Sequence, residues 1–381
     1  MKFAMKFVLV LALVLVTPVV AQQPAPKPAA KPAPPKATAG TIPADVMWHD
    51  VTKWGVEGRG WADQERKRWF DRLPAKAEGK VTSAVWNLSR DSAGMMVRFK
   101  TDAKAIYTRY TLAKTNLASP HMPATGVSGL DLYARDAQGK WKWVQVTRPS
   151  SPKVETTLIS DLAPGEREYA AFLPLYNGIE SLEIGVPADA KFMGLAPRAE
   201  KPIVFYGTSI THGACASRPG MVHTAILGRR FDRPVLNLGF SGNGRMDAAV
   251  GDLLIEVDAA VYVIDCLPNM QPADVRAKCG PLVKQLRAAR PNTPIVLVED
   301  RRFTNDWITP NKKKFHDDNH AALRAAYEQL KKEGVTKLSY IPGDALYGTD
   351  TEGATDASHA NDLGFMRQAD VFEPIIRAAL R

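Results

Sequence analysis

The chain has 381 residues, with 50 Lys and Arg against 40 Asp and Glu, a formal charge of +10. Half of that excess comes from Lys2, Lys6, Lys27, Lys31 and Lys36, all ahead of the first acid at Asp45, so the remainder is mildly basic and a nucleic-acid partner is not expected. Cys215, Cys266 and Cys279 are too few for a disulfide-stapled scaffold and lack zinc-ribbon spacing; they suffice for one bridge of open connectivity, and no structural metal is expected.

Residues 1–21 read as a secretory signal peptide: Lys2 and Lys6, an apolar run from Phe7 to Val16, then a small-residue stretch ending at Ala21. The run is shorter than the roughly 20 residues a bilayer span needs, and no cysteine follows that could take a lipid anchor. An exported protein, periplasmic or secreted, is expected, with no stable membrane span after signal removal. Residues 22–42, rich in Pro, Ala and Lys, form an extended linker that cannot bury a core.

Between 43 and 198 the chain carries short alternating or β-branched runs, among them Met95 to Phe99, Ala105 to Tyr110, Trp141 to Val146 and Glu180 to Val186, with turns such as Asp136 to Gly139 and Tyr176 to Gly178. This predicts an all-β sandwich domain. From 199 to 381 apolar strands alternate with helix-length segments, predicting an α/β domain with a parallel sheet covered on both faces. The predicted strands are Ile203 to Phe205, Pro234 to Leu238, Ala260 to Ile264 and Pro294 to Val298, and the predicted helices are Asp247 to Glu256, Asp274 to Ala289, Asp318 to Glu333 and Asn361 to the C-terminus.

Ligands of open α/β sheets bind at the carboxyl ends of the strands, and four such loops are unusual. The first strand runs into Gly207-Thr208-Ser209-Ile210, which presents a serine on a tight turn. The second ends in Ser241-Gly242-Asn243-Gly244, able to aim backbone N–H groups at an oxyanion, and the third delivers Asn269 to the same rim. Asp356 and His359 precede the last helix. Acyl transfer needs a nucleophile, a base, a group to orient the base, and oxyanion donors, and these loops supply a candidate for each. Taken singly, each has an ordinary reading: a turn serine, a helix-cap aspartate, a turn asparagine, a glycine needing positive φ. Their order along successive strand ends is what those readings do not require.

These ordered blocks resemble the four motif blocks of the SGNH (GDSL-type) hydrolase superfamily. The resemblance implies a flavodoxin-like three-layer domain in which Ser209 is the nucleophile, Asp356 and His359 complete the triad, and Ser209, Gly242 and Asn269 form the oxyanion hole. Thr208 and Ile210 replace the usual Asp and Leu of the first block, and Leu267-Pro268-Asn269-Met270 departs from Gly-x-Asn-Asp. Upstream, Gly129-Leu130-Asp131-Leu132-Tyr133 is similar to the Gly-x-Asp-Leu-Tyr motif of a jelly-roll-like sandwich domain that precedes one branch of these hydrolases; its alternation also suits a strand with Leu130 and Leu132 on one packed face.

The expected activity is hydrolysis of carboxylic esters through an acyl-serine, without a cofactor, on a small-molecule or polysaccharide ester and foremost on acetylated carbohydrate. The alternatives are a lipid or thioester acylhydrolase and a non-catalytic glycan-binding envelope protein. His212, Arg245, Asp300 and Arg301 are further candidates for contacting substrate. His316 and His320, four residues apart, have zinc-clamp spacing but read better as a solvated helix start. Gly207 to Gly213 lacks the lysine of a phosphate loop, which disfavours nucleotide binding.

Overall fold

The computed structural model describes residues 42–381, and nearly all of the signal-peptide and linker segment lies outside them. Nine strands make up the first part of the chain: β1 (Val46–Asp50), β2 (Met96–Thr101), β3 (Ile106–Leu112), β4 (Asp131–Arg135), β5 (Trp141–Val146), β6 (Lys153–Ile159), β7 (Arg167–Phe172), β8 (Ile179–Pro187) and β9 (Phe192–Leu195). They form two antiparallel sheets, ordered β1-β8-β3-β6 and β5-β4-β7-β2-β9. Short helices α1 (Ser83–Leu88) and α2 (Ala124–Val127) lie in the connections.

Strand periodicity explains why these sheets stack. Along β2, Val97 and Phe99 are fully buried while Arg98 and Lys100 point outward, as a period of two requires. Val97, Phe99, Leu130, Leu132, Tyr169 and Ala171 of one sheet meet Ile106, Tyr110, Leu182 and Ile184 of the other in one core, each large side chain contributing about 1.5–3 kcal/mol of burial free energy. The outer face of the five-stranded sheet is covered too: Met96, Tyr133, Ala170 and Phe172 pack against Ala225 of the second half of the chain.

That second half is a parallel sheet in the order β11-β10-β12-β13-β14, built from β10 (Ile203–Gly207), β11 (Val235–Gly239), β12 (Val261–Asp265), β13 (Ile295–Val298) and β14 (Leu338–Ile341). Strands β10 to β13 are buried along their whole length, as a sheet with helices on both faces demands. Val204, Tyr206, Tyr262 and Leu297 face one apolar core, and Phe205, Val263, Val296 and Val298 face the other. The helices are α3 (Ser209–His212), α4 (His223–Phe231), α5 (Ala248–Leu254), α6 (Pro272–Ala289), α7 (Pro310–Lys332) and α8 (Asp362–Ala379). This is the expected α/β class with an antiparallel sandwich ahead of it.

Two details differ from expectation. Strand β14 is not among the predicted strands, because Leu338, Ser339 and Tyr340 are only half-buried at the sheet edge and give no solid apolar run. Helix α7 begins at Pro310, eight residues ahead of the predicted Asp318, with Pro310 in its first turn, where the missing proline N–H costs nothing. His316 and His320 consequently lie on the buried face of α7 rather than at a solvated start. The three cysteines are buried free thiols. No helix among the described residues is long and apolar enough to cross a membrane.

Candidate active site

Strand β10 ends at Gly207, and Thr208 caps the single-turn α3 by accepting the Ile210 N–H at 3.3 Å. Threonine thus fills the place of the expected aspartate by doing what a cap must do. Ser209 is the first residue of that turn, a position whose backbone N–H has no partner within the helix.

Asp356 and His359 sit on a tight loop between β14 and α8. Asp356 accepts the backbone N–H of Ser358 at 3.0 Å and of His359 at 2.7 Å, and Ala357 takes a left-handed φ of 67° to close the turn. The fold brings this loop to the serine: Ser209 Oγ lies 2.8 Å from His359 Nε2, and His359 Nδ1 lies 2.8 Å from Asp356 Oδ2. With the proton on Nδ1 donated to the carboxylate, Nε2 is left to accept from the serine hydroxyl. Partial burial opposes ionisation of Asp356, but the backbone and imidazole N–H donors of His359 outweigh it and hold the carboxyl down at about 2.

Gly242 takes a φ of 70°, the left-handed conformation glycine adopts without penalty. The Asn269 carboxamide lies beside this loop. With its oxygen turned toward the loop it accepts the N–H of Asn243 at 3.1 Å and of Gly242 at 3.3 Å. In the third block Leu267–Asn269 is a turn of 3-10 helix, and Met270, in place of the expected aspartate, is a core residue. Arg245 stays exposed on the Gly242 loop, its Nε donating to Gly242 O at 3.0 Å.

The other three candidates occupy the interior. His212 is fully buried, donates from Nε2 to Leu175 O at 2.7 Å and stacks on Tyr176 at 4.1 Å; burial, aided by the Arg72 charge, keeps its pKa well below the usual imidazole value. It lies in the packing beneath Ser209 rather than in a pocket. Asp300 and Arg301 are buried as an ion pair, and Arg301 Nε donates to Ser358 O at 2.8 Å. Their task is to hold the loop that carries His359. Asp300 is in turn backed by His316, whose Nε2 is 3.4 Å from Asp300 Oδ2, and by His320, which donates to Asp300 O at 2.7 Å.

The sandwich also reaches this site. The Tyr176 hydroxyl donates to Ser209 O at 3.3 Å. Exposed His121, held by the reciprocal Ser119 and Met122 backbone bonds, stands 6.0 Å from His359 between ring centroids. Arg72, fully buried, donates to Asn237 O at 3.1 Å and Gly239 O at 2.8 Å at the end of β11. The Gly-x-Asp-Leu-Tyr strand explains itself here. Leu130 and Leu132 enter the sandwich core, while Asp131 points across the interface and accepts Gly220 N–H at 2.7 Å and Arg218 Nη1 at 3.0 Å. A Cβ on Gly220 would come within 2.4 Å of the Tyr133 ring. His121, Tyr176 and Arg72 carry no local motif, so nothing in the sequence marked them.

A serine, an imidazole and a carboxylate joined in series at the strand ends of a parallel sheet are the working parts of a serine hydrolase. Residues 200–377 match the GDSL-like lipase/acylhydrolase family, and residues 46–192 match the GxDLY family, the N-terminus of SGNH-hydrolase-type esterases. Among solved structures, a GDSL-like lipase from Bacteroides ovatus is 32% identical, covers 88% of this chain and 98% of its own, and superposes with a TM-score of 0.83. The chain therefore belongs to the GDSL-like, SGNH-type hydrolase family and is a serine hydrolase acting on ester bonds. The salicylyl-acyltransferase SsfX3 of a tetracycline biosynthetic pathway is 18% identical over 90% of this chain and 96% of its own, with a TM-score of 0.66. An acetyl xylan esterase from Butyrivibrio proteoclasticus is 10% identical over 88% and 99%, with a TM-score of 0.54. These last two share the fold. No curated protein matches the sequence.

Proposed function

We propose that this chain hydrolyses carboxylic esters through an acyl-Ser209 intermediate, with acetylated carbohydrate as its substrate. The observation that carries the mechanism is the unbroken series from Ser209 Oγ through His359 to Asp356, at 2.8 Å for each bond. Ser209 Oγ attacks the acyl carbon as its proton passes to His359 Nε2, and Asp356 stabilises the imidazolium through Nδ1. The tetrahedral oxyanion is met by the N–H groups of Ser209 and Gly242. Asn269 joins them through its NH₂, which is turned away from the loop while its oxygen accepts the Gly242 and Asn243 N–H groups. Collapse expels the alcohol, which takes the proton from Nε2. Water then attacks the acyl-serine with His359 again as base, releasing the acid and restoring the hydroxyl.

A short acyl group on a sugar is supported by the presence of an acetyl xylan esterase and other carbohydrate esterases among proteins of this fold. A sugar ester bound for hydrolysis outside the cytoplasm also fits the signal-peptide pattern of residues 1–21, and the mass of the mature N-terminus tests that export. For the substrate, a series of 4-nitrophenyl esters of rising chain length is the direct experiment. Maximal kcat/KM at acetate supports a deacetylase; a maximum at octanoate or beyond means a lipid acylhydrolase instead.

A further inference from the structure

Beside the loop that bears Asp356 and His359 lies a cleft of about 260 Å³, bordered by Phe303, Thr304, Asp306, Trp307, Thr349 and Thr351. Its wall and the loop share bonds: Thr304 N–H donates to Ala357 O at 3.0 Å, and the hydroxyl of Tyr347, which also lines the cleft, donates to Ser358 O at 3.1 Å. Ala357 and Ser358 are the two residues between the carboxylate and the imidazole, so the cleft lies against the loop that carries both.

Its chemistry is specific. Trp307 is 73% exposed, the most exposed large apolar side chain among the described residues, and Ile308 beside it is 63% exposed. The segment is tied down nonetheless: Ile308 N–H donates to Asn305 O at 3.3 Å, Thr309 N–H to Asp306 O at 3.2 Å, and Thr309 Oγ1 to Asn305 O at 2.8 Å. An indole presented to water from a hydrogen-bonded turn offers an apolar surface to a ligand. Phe303 and Tyr347 add aromatic surface to the lining, Thr304, Thr349 and Thr351 add hydroxyls, and Asp306 and Asp344 add carboxylates, while Arg302 is engaged with Asp344 and Asp317. A fatty acyl chain needs a continuous apolar wall, whereas here Asp306, Asp344 and the three threonines interrupt the aromatic surface. A pyranose ring has one face of C–H groups for the indole and an edge of hydroxyls for Asp306, Thr349 and Thr351.

We infer that this cleft is a glycan subsite, in which Trp307 stacks a neutral sugar ring of the chain whose ester is cleaved at Ser209. The inference deepens the carbohydrate-ester reading and rests on it. The test uses the whole protein with Trp307→Ala and Trp307→Phe. The quantity read is the ratio of kcat/KM on acetylated xylooligosaccharide to kcat/KM on 4-nitrophenyl acetate. Trp307→Ala lowers this ratio about tenfold, through KM, and Trp307→Phe restores most of it. In the Ser209→Ala background, calorimetric titration with unacetylated xylohexaose shows the same loss of affinity on removing the indole. An unchanged ratio while the parent protein deacetylates the oligosaccharide overturns the subsite and leaves the substrate reading intact. Failure of the parent to act on any acetylated glycan overturns both, and a selective loss on 4-nitrophenyl octanoate, or a change of oligomeric state in Trp307→Ala, reassigns the cleft and overturns the subsite.

Discussion

Arg301 and Ser358 are joined by a 2.8 Å bond from guanidinium Nε to backbone carbonyl, so the loop after β13 sets the position of the residue that precedes His359. Arg301 is buried against Asp300 and touches no group of the reacting series; it is a positioning residue. Displacing a reacting group by 1 Å costs about 10²-fold. Arg301→Met is expected to lose about that factor in kcat with a smaller change in KM, and Arg301→Lys to recover part of it. A variant whose kcat stays within a factor of two of the parent contradicts the assignment.

Asn269 faces Gly242 and Asn243 across 3.3 and 3.1 Å. If its NH₂ serves the oxyanion, Asn269→Ala lowers kcat by about 10²–10³-fold while Ser209 still reacts with a fluorophosphonate, only more slowly. Asn269→Asp supplies the loop-facing oxygen without the NH₂ and should be as poor as alanine. Full activity in the aspartate variant would show that the side chain only braces the loop.

Burial pushes the Asp265 carboxyl up to about 8, against the pull of its bond from Thr211 Oγ1 at 3.1 Å. Because the folded value lies above the unfolded one, the native chain holds a proton through this range that the unfolded chain releases. Its contribution to stability is therefore complete below about pH 4 and declines as pH rises to about 8, by up to about 1.4 kcal/mol per pH unit. Asp265→Asn keeps the shape and removes the slope. Urea midpoints of variant and parent should converge near pH 4 and separate in the variant's favour toward pH 8; parallel curves rule out a buried neutral carboxyl.

Asp131 is fully buried and takes its Gly220 and Arg218 donors from the other half of the chain. Asp131→Ala leaves both donors and the Arg218 charge without their acceptor. The expected loss is about 3–5 kcal/mol, the usual cost of breaking a buried pair from one side. Urea unfolding followed by tryptophan fluorescence measures it, and a loss below about 1 kcal/mol would show that the motif does not clasp the two halves.

What could be read beforehand follows from how local each signal is. Ser209, Gly242, Asn269, Asp356 and His359 each lie in a short block at the end of an apolar run or at the start of a helix, so sequence order alone arrays them on one sheet edge. The sandwich was visible as alternation, down to Leu130 and Leu132 facing one core. His121 and Arg72 owe their places to contacts between segments more than a hundred residues apart, for which a single sequence has no pattern. His316 and His320 were misplaced because Lys312, Lys313 and Lys314 hide the first turns of α7 behind a polar run. Arg301 and Asp300 read from sequence as substrate contacts, but they are buried, and Arg301 points inward to the loop that carries His359.

The proposed chemistry begins at Ser209 as nucleophile, with His359 Nε2 at 2.8 Å to take its proton. Labelling of the purified protein with a fluorophosphonate, followed by peptide mass spectrometry, tests it most directly. One modified residue is expected, Ser209, with labelling and ester turnover both abolished in Ser209→Ala and both slowed by orders of magnitude in His359→Ala. Retained labelling and turnover in Ser209→Ala would contradict it.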